Sequence, residues 1–229
     1  LYDITKDFSQ ANDVAARYPE KLKELQAIFD REAKKYNVYP LDDRAAARFA
    51  NPVGINRPSF VTGRKHFEFY PGAVRLPEAV APSVKSKSHS ITADVVIPPD
   101  GAEGALIAMG GDEAGYAFCV KDNKLTYYFN YYAYDHYKVT STTDIPTGKV
   151  QLKMDFKYDG GGPGKGGTAT LFINGKQVGE GRIEKTIPGK FGFDEMDIGM
   201  DLSSPVSEEY KPPFKFSGTI EKVTIDINE

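Results

Sequence analysis

From His66 to the end of the chain, apolar and polar residues alternate at period two in short runs separated by turn residues, and few architectures accept that pattern. In Gln151–Tyr158, the residues Leu152, Met154, Phe156 and Tyr158 alternate with Gln151, Lys153, Asp155 and Lys157. Ser90–Ile97 does the same through Ile91, Ala93, Val95 and Ile97. Successive side chains of a strand point to opposite faces, so each run is a strand buried on one side. Thr168–Ile173 meets Gln177–Ile183 across Asn174-Gly175, a two-residue hairpin signal because both positions tolerate φ > 0. Lys121-Asp122-Asn123-Lys124 marks another turn, between Tyr116–Val120 and Leu125–Tyr132, and Lys215–Ile227 closes the chain as a last strand. Many short strands with turns every ten or so residues predict a mainly β fold. The expected architecture is a two-sheet antiparallel β-sandwich over 66–229 with Greek-key or jelly-roll connections, not a parallel α/β fold.

The first part of the chain has a different period. Leu22, Leu25, Ile28, Phe29 and Tyr36 fall at helical spacing and leave Lys21, Lys23, Glu24, Asp30 and Lys34 for solvent. Pro19 suits a first helical turn, and Asn37 and Pro40 mark the stop. Three regions follow: an N-terminal α-helical segment (1–41), an extended linker rich in Pro, Gly and Asp (42–65), and the sandwich (66–229). Neither an initiator Met nor a signal-like run opens the chain, which leads us to expect a fragment or a processed product. The formal charge of −3 provides no basic footprint for nucleic acid, and no apolar run is long enough to span a bilayer. The one cysteine excludes an internal disulfide.

Candidate chemistry is sparse. The run Asp159–Gly167 (DGGGPGKGG) is not a phosphate loop: Asp159 stands where the first glycine is required, and a strand follows where a helix is needed. It reads as a flexible hairpin tip. Cys119, between Phe118 and Val120, reads as a small buried side chain, and His66, His89 and His136 lack metal-ligand spacing. His89 shares parity with Ile91 and is expected at the core edge. Glu195 and Asp197 lie two apart, as in sandwich glycosidases that place a nucleophile and an acid/base on one strand face. The second acid should then follow at 199 or 200, where Gly199 and Met200 stand, and Asp201 comes too late. A polar strand face or a cation site at the rim is the alternative. Tyr127, Tyr128, Tyr131, Tyr132, Tyr134 and Tyr137 cluster with Asn130 and His136. Tyrosines on a sheet face can stack on sugar rings. A chain without Trp must also use Tyr as core bulk, and alternation would bury half of them. The candidate ligand-binding residues are therefore Tyr131, Tyr132, Tyr134, His136, Glu195, Asp197 and Asp201. No catalytic residue, metal site or cofactor is assigned.

Several short segments resemble a known family. Leu1-Tyr2-Asp3-Ile4, Lys6-Asp7, Asn12-Asp13-Val14-Ala15 and Pro19-Glu20 look like the segment closing the catalytic domain of bacterial arylsulfatases. Asp159–Gly181, Gly199-Met200-Asp201, and Ser204-Pro205-Val206 through Phe216–Ile220 resemble the carboxyl-terminal extension of longer members, which is similar to concanavalin A/laminin G-like sandwiches. The C/S-x-P/A-x-R motif is absent: Cys119–Asn123 does not match, and Ser203–Ser207 has Ser207 in place of Arg. The resemblance implies a non-catalytic piece of a soluble bacterial sulfuric ester hydrolase, periplasmic or cytoplasmic. That parent would use formylglycine and a divalent cation such as Ca²⁺. Its partners would be the sulfatase catalytic domain, a sulfated or sugar substrate, and a second copy of the chain. An autonomous carbohydrate-binding module ranks second and a sandwich glycosidase third. The first reading requires Leu22, Leu25 and Phe29 to lack a partner within the chain. The second requires several tyrosines exposed together on a concave face.

Overall fold

A computed structural model describes residues 1–41 and 60–228. The chain divides into two units, Leu1–Pro58 and Ser59–Glu229. Residues 42–59 of the expected linker lie outside the described residues. In the first unit α1 spans Pro19–Lys35, with Pro19 in its first turn. Asn37 ends it at φ 54°, while Val38 N–H donates to Ala33 O and Asn37 N–H to Lys34 O. This is the double hydrogen bond of a left-handed helix stop. Of the helix only Ala33 is buried, and Leu25, Ile28 and Phe29 stay exposed.

The second unit is a two-sheet antiparallel β-sandwich, as expected from the period-two pattern. Its strands are β1 (His66–Phe69), β2 (Ser88–Ile97), β3 (Gly104–Gly110), β4 (Gly115–Lys121), β5 (Lys124–Tyr131), β6 (Asp135–Asp144), β7 (Gly148–Tyr158), β8 (Gly167–Ile173), β9 (Lys176–Ile183), β10 (Met196–Ile198) and β11 (Thr219–Asn228). Six form one sheet in the order β1-β11-β2-β7-β8-β9, and five form the other in the order β10-β3-β4-β5-β6. The expected hairpins are present, with Asp122 and Asn123 at φ 51° and 57° and Asn174 and Gly175 at 49° and 78°. Ile91, Leu152, Met154, Leu171 and Ile225 of the larger sheet meet Leu106, Phe118, Leu125 and Tyr127 of the smaller in one core. The sandwich closes along β6 and β9, where the Thr142 hydroxyl donates to Val178 O at 3.0 Å. A β-carbon at Gly179 would lie 2.8 Å from Thr140 O, so the approach requires glycine.

The two outer faces differ. Strands β2, β7 and β8 alternate buried and half-buried residues as period two demands. Strands β3, β4 and β5 are buried on both faces. Their outer side presents Ala105, Ala108, Ala117, Cys119 and Tyr128, and Val206, Tyr210 and Phe214 pack on it. The small side chains leave room for the Tyr210 and Phe214 rings, stacked at 4.4 Å. Asp201 accepts the Tyr210 hydroxyl (2.6 Å) and the Val206 N–H (3.4 Å), and Glu209 accepts the Tyr128 hydroxyl (2.8 Å) and Lys138 (2.5 Å). Cys119 is buried as expected, and burial pushes its thiol well up. Tyr127 and Tyr128 are both buried, because this segment occupies the face that alternation assigns to solvent. The glycine run is a hairpin tip between β7 and β8, but a pinned one. The Tyr158 hydroxyl donates to Gly162 O (2.5 Å) and accepts Lys165 N–H (2.9 Å), while Gly164 N–H donates to Ser86 Oγ (3.1 Å).

Two buried titratable groups oppose each other. His89 faces the core, its Nδ1 at 3.0 Å from Lys87 O, so this nitrogen carries the proton and Nε2 is left without a partner. Burial lowers its pKa from 6.5 to about 4. The unfolded chain then takes up the proton first, and stability is lost as pH falls from about 6.5 towards 4. Burial raises Asp201 from 3.8 to about 6, so its share of stability is lost as pH rises through that window. Each shift corresponds to a contribution on the order of 3 kcal/mol. In Asp201→Asn the slope that opposes that of His89 is gone. Urea unfolding of that variant at pH 4 to 7 should show a steeper loss on acidification than the parent protein.

Candidate functional site

At one end of the sandwich three connections come together: the β3–β4 turn, the β5–β6 turn and the β9–β10 loop. Their meeting follows from pairing. Gly115 of β4 faces Asn130 of β5, and Met196 of β10 faces Met109 of β3. Asn130 ties the two turns. Its buried amide donates to Gly111 O and Asp112 O, both at 2.9 Å, and its carbonyl oxygen accepts Ala133 N–H at 2.9 Å. All its amide hydrogens are used, which leaves the turn little freedom.

The β5–β6 turn carries the expected tyrosines. Tyr132 and Ala133 take φ of 50° and 56°, and the Tyr134 N–H donates to Tyr131 O at 3.0 Å. Tyr131 and Tyr132 pack edge to face with ring centres 5.1 Å apart. Tyr134 projects into solvent, 84% exposed. The β9–β10 loop docks beside this turn: Lys185 pairs with Asp135 at 2.9 Å and lies 5.5 Å from the Tyr131 ring centre. Burial raises the Tyr132 phenol, and the Gly189 backbone N–H partly offsets this. Farther along the loop Phe191 is anchored, its N–H donating to Glu78 at 3.2 Å and its ring 5.6 Å from Tyr116. Phe193 is 85% exposed, with Lys190 Nζ 4.8 Å from its ring centre. Asp194 accepts the Ser204 hydroxyl and N–H, and Ser204 Oγ accepts Asp112 N–H at 3.0 Å. Between these groups lies a recess of about 150 Å³ lined by Gly111, Asp112, Glu113, Phe191, Phe193, Asp194 and Ser204.

The structure separates the expected site residues. Tyr131, Tyr132 and Tyr134 share the turn, and exposed His136 pairs across strands with Asn130. They do not form a tyrosine platform on a sheet face. Of the three tyrosines only Tyr134 is exposed, because the sheet face itself is covered. Glu195 is half-buried, its carbonyl accepting Gly110 N–H. Asp197 is buried and faces outward beside Ala108, its carboxylate accepting Arg75 N–H (2.7 Å) and Leu202 N–H (3.2 Å). Asp197 and Asp201 thus hold covering segments onto the sheet. Both oxygens of Asp197 are engaged by backbone N–H groups, which gives it a role in holding the Arg75 and Leu202 segments. Among the described residues no three His, Cys, Asp or Glu side chains converge as a metal ion requires. Sequence reasoning missed Asn130 as the tie and Phe193 as the second exposed ring. Gly189 and Gly192 around Phe191 were the available signal for an exposed turn.

Neither known protein families nor curated proteins yield a match to this chain. The sulfatase relationship therefore finds no support there. Among solved structures, the chain is similar to the CBM40 domain of the Ruminococcus gnavus IT-sialidase (13% identity, 72% of this chain and 92% of that one, TM-score 0.47). It is also similar to the leech intramolecular trans-sialidase complexed with 2,7-anhydro-Neu5Ac (11% identity, 71% and 25%, TM-score 0.46). A third is galectin LEC-6 of Caenorhabditis elegans (10% identity, 74% and 99%, TM-score 0.40). These likenesses concern the sandwich fold alone.

Removing Asn130 leaves the buried Gly111 carbonyl and the part-buried Asp112 carbonyl without this donor, at a cost of about 1–3 kcal/mol. Asn130→Ala should lower the unfolding free energy by about 2 kcal/mol. It should also speed amide exchange at 111–115 and 132–134 while β7 and β8 stay protected.

Proposed function

We propose that this sandwich is a non-catalytic carbohydrate-binding module whose ligand docks on the β5–β6 turn and the β9–β10 loop. The observation that carries this reading is the pair of large rings, Tyr134 and Phe193, about 85% exposed on two loops pinned at the same end of the fold. A pyranose offers apolar C–H faces to such rings and hydroxyls around its edge. Lys185, Asp135, Lys190, Asp112 and Glu113 stand at the same end as hydrogen-bonding groups for those hydroxyls. Because hydrogen bonds fix the loops before any ligand arrives, little ordering entropy opposes binding. The carboxylates once considered for catalysis support scaffold roles, which agrees with binding without turnover. The resemblance to arylsulfatases concerns what the module would be joined to, and no family or curated match supports it.

A glycan panel followed by affinity electrophoresis on the retained sugar tests the reading. Tyr134→Ala and Phe193→Ala should each weaken retention about tenfold, the equivalent of roughly 1.4 kcal/mol. Both should melt at the parent temperature, since neither ring is part of the core. Retention unchanged in both variants would refute this location, and failure to retain any glycan would refute the function.

A further inference from the structure

The β9–β10 loop, which carries Phe193, closes over a buried imidazole. Between the sheets lies a narrow cavity of about 10 Å³, space for at most one water molecule. His89 of β2 lines it and is only 3% exposed. Tyr127 and Phe129 of β5 and Phe156 of β7 line it from the strands, and Thr186, Ile187 and Phe191 line it from the loop. The segment 84–86 completes the lining.

The two kinds of wall differ in how they are held. His89 sits in ladders on both sides, opposite Phe156 and Ile227, and Tyr127 sits opposite Phe118 and Val139. The loop has no ladder. Thr186 N–H donates to Gly164 O at 3.3 Å, the Thr186 hydroxyl donates to Lys165 O at 2.6 Å, and Phe191 N–H donates to Glu78. Ile187 and Phe191 are otherwise held by burial alone. A wall of this kind opens before a strand does.

The cavity is built for a neutral imidazole. Nδ1 faces Lys87 O, and Nε2 has no partner among the described residues. No carboxylate lines the cavity, and the one charged lining side chain, Lys85, has the sign of an imidazolium. Lys85 is paired with Glu78 and lies 5.5 Å from the Phe191 ring centre. On β7, Asp155 favours a charged His89 but is paired with Lys153. On β11, Asp226 next to Ile227 is paired with His66 of β1. On β4 and β5, Tyr116 and Tyr127 keep their protons, because burial raises both phenols. A proton on Nε2 therefore needs more water than the closed cavity holds, and the wall that yields is the loop. Burial lowers His89 from 6.5 to about 4 while the loop is closed. An open loop restores the ordinary value, so opening is favoured as pH falls from about 6.5 towards 4.

We propose that His89 is a proton-operated latch on the β9–β10 loop: protonation at Nε2 admits water, lifts Ile187 and Phe191 from the core, and takes Phe193 away from the loop end. The effect on a bound glycan rests on the loop-end reading above. The movement itself needs no ligand.

Amide exchange on the full chain without sugar, corrected for the intrinsic effect of pH, tests the latch. Protection at 187–193 should fall at least tenfold between pH 6.5 and 4.5 while β2 and β7 keep theirs. His89→Gln retains polarity and His89→Phe retains the ring, and neither can take up the proton. In both, protection at 187–193 should be indifferent to pH, so a folding defect in one variant leaves the other to decide. A retained glycan should bind the parent protein at least tenfold more weakly at pH 4.5 than at 6.5. Three results would overturn the proposal: protection at 187–193 unchanged by pH, an equal fall in the His89 variants, or an equal fall in β2 and β7. An opened loop with undiminished glycan retention would overturn its coupling to the site. No retained glycan at pH 6.5 would refute the loop-end reading, and the exchange result would still decide the latch.

Discussion

The packing of Tyr210 and Phe214 on the outer face of the smaller sheet decides where anything else can bind. Four small residues, Ala105, Ala108, Ala117 and Cys119, leave a shallow bed on that face. The aromatic pair fills it, and the Asp201 carboxylate fastens the Tyr210 hydroxyl. Burying each such side chain contributes roughly 1.5–3 kcal/mol. That is enough to keep the segment in place while leaving Asp201 in a site that disfavours its charge. The face most sandwich strands would offer to solvent is thereby closed by the chain itself.

A surface that stays open lies where strands end. The loop end is held by side chains reaching across connections: Asn130 to the β3–β4 turn, Lys185 to Asp135, Glu78 to Phe191, and Ser204 between Asp112 and Asp194. Each engages a group that would otherwise be free to move, so the exposed rings sit on a rigid base.

Much of the fold was legible in the residues. Leu152, Met154 and Phe156 announce their face by period, and Asn174-Gly175 and Asp122-Asn123 announce their turns by tolerance of positive φ. The helix stop at Asn37 was equally readable. What escaped was long-range. Tyr128 follows the alternation that places it opposite Tyr127, and only the distant Tyr210 explains why both are buried. Glu195 and Asp197 resemble a catalytic pair in spacing, but Asp197 and the later Asp201 accept backbone N–H groups from segments with no periodic signal. Of the candidate site, Tyr131, Tyr132 and Tyr134 were found by composition. Phe193 was not, because a lone aromatic in an irregular loop carries no period. The sulfatase resemblance rested on short segments, which carry little information about what a sandwich binds.

Amide-resonance mapping during titration with a retained neutral glycan tests the central claim most directly. The account predicts perturbations concentrated in residues 131–135 and 189–194, with the segment around Tyr210 and Phe214 unmoved. Perturbations centred on 205–214, or on β4 and β5 beneath it, would contradict it: the covered face would then be the binding face, opened by its ligand.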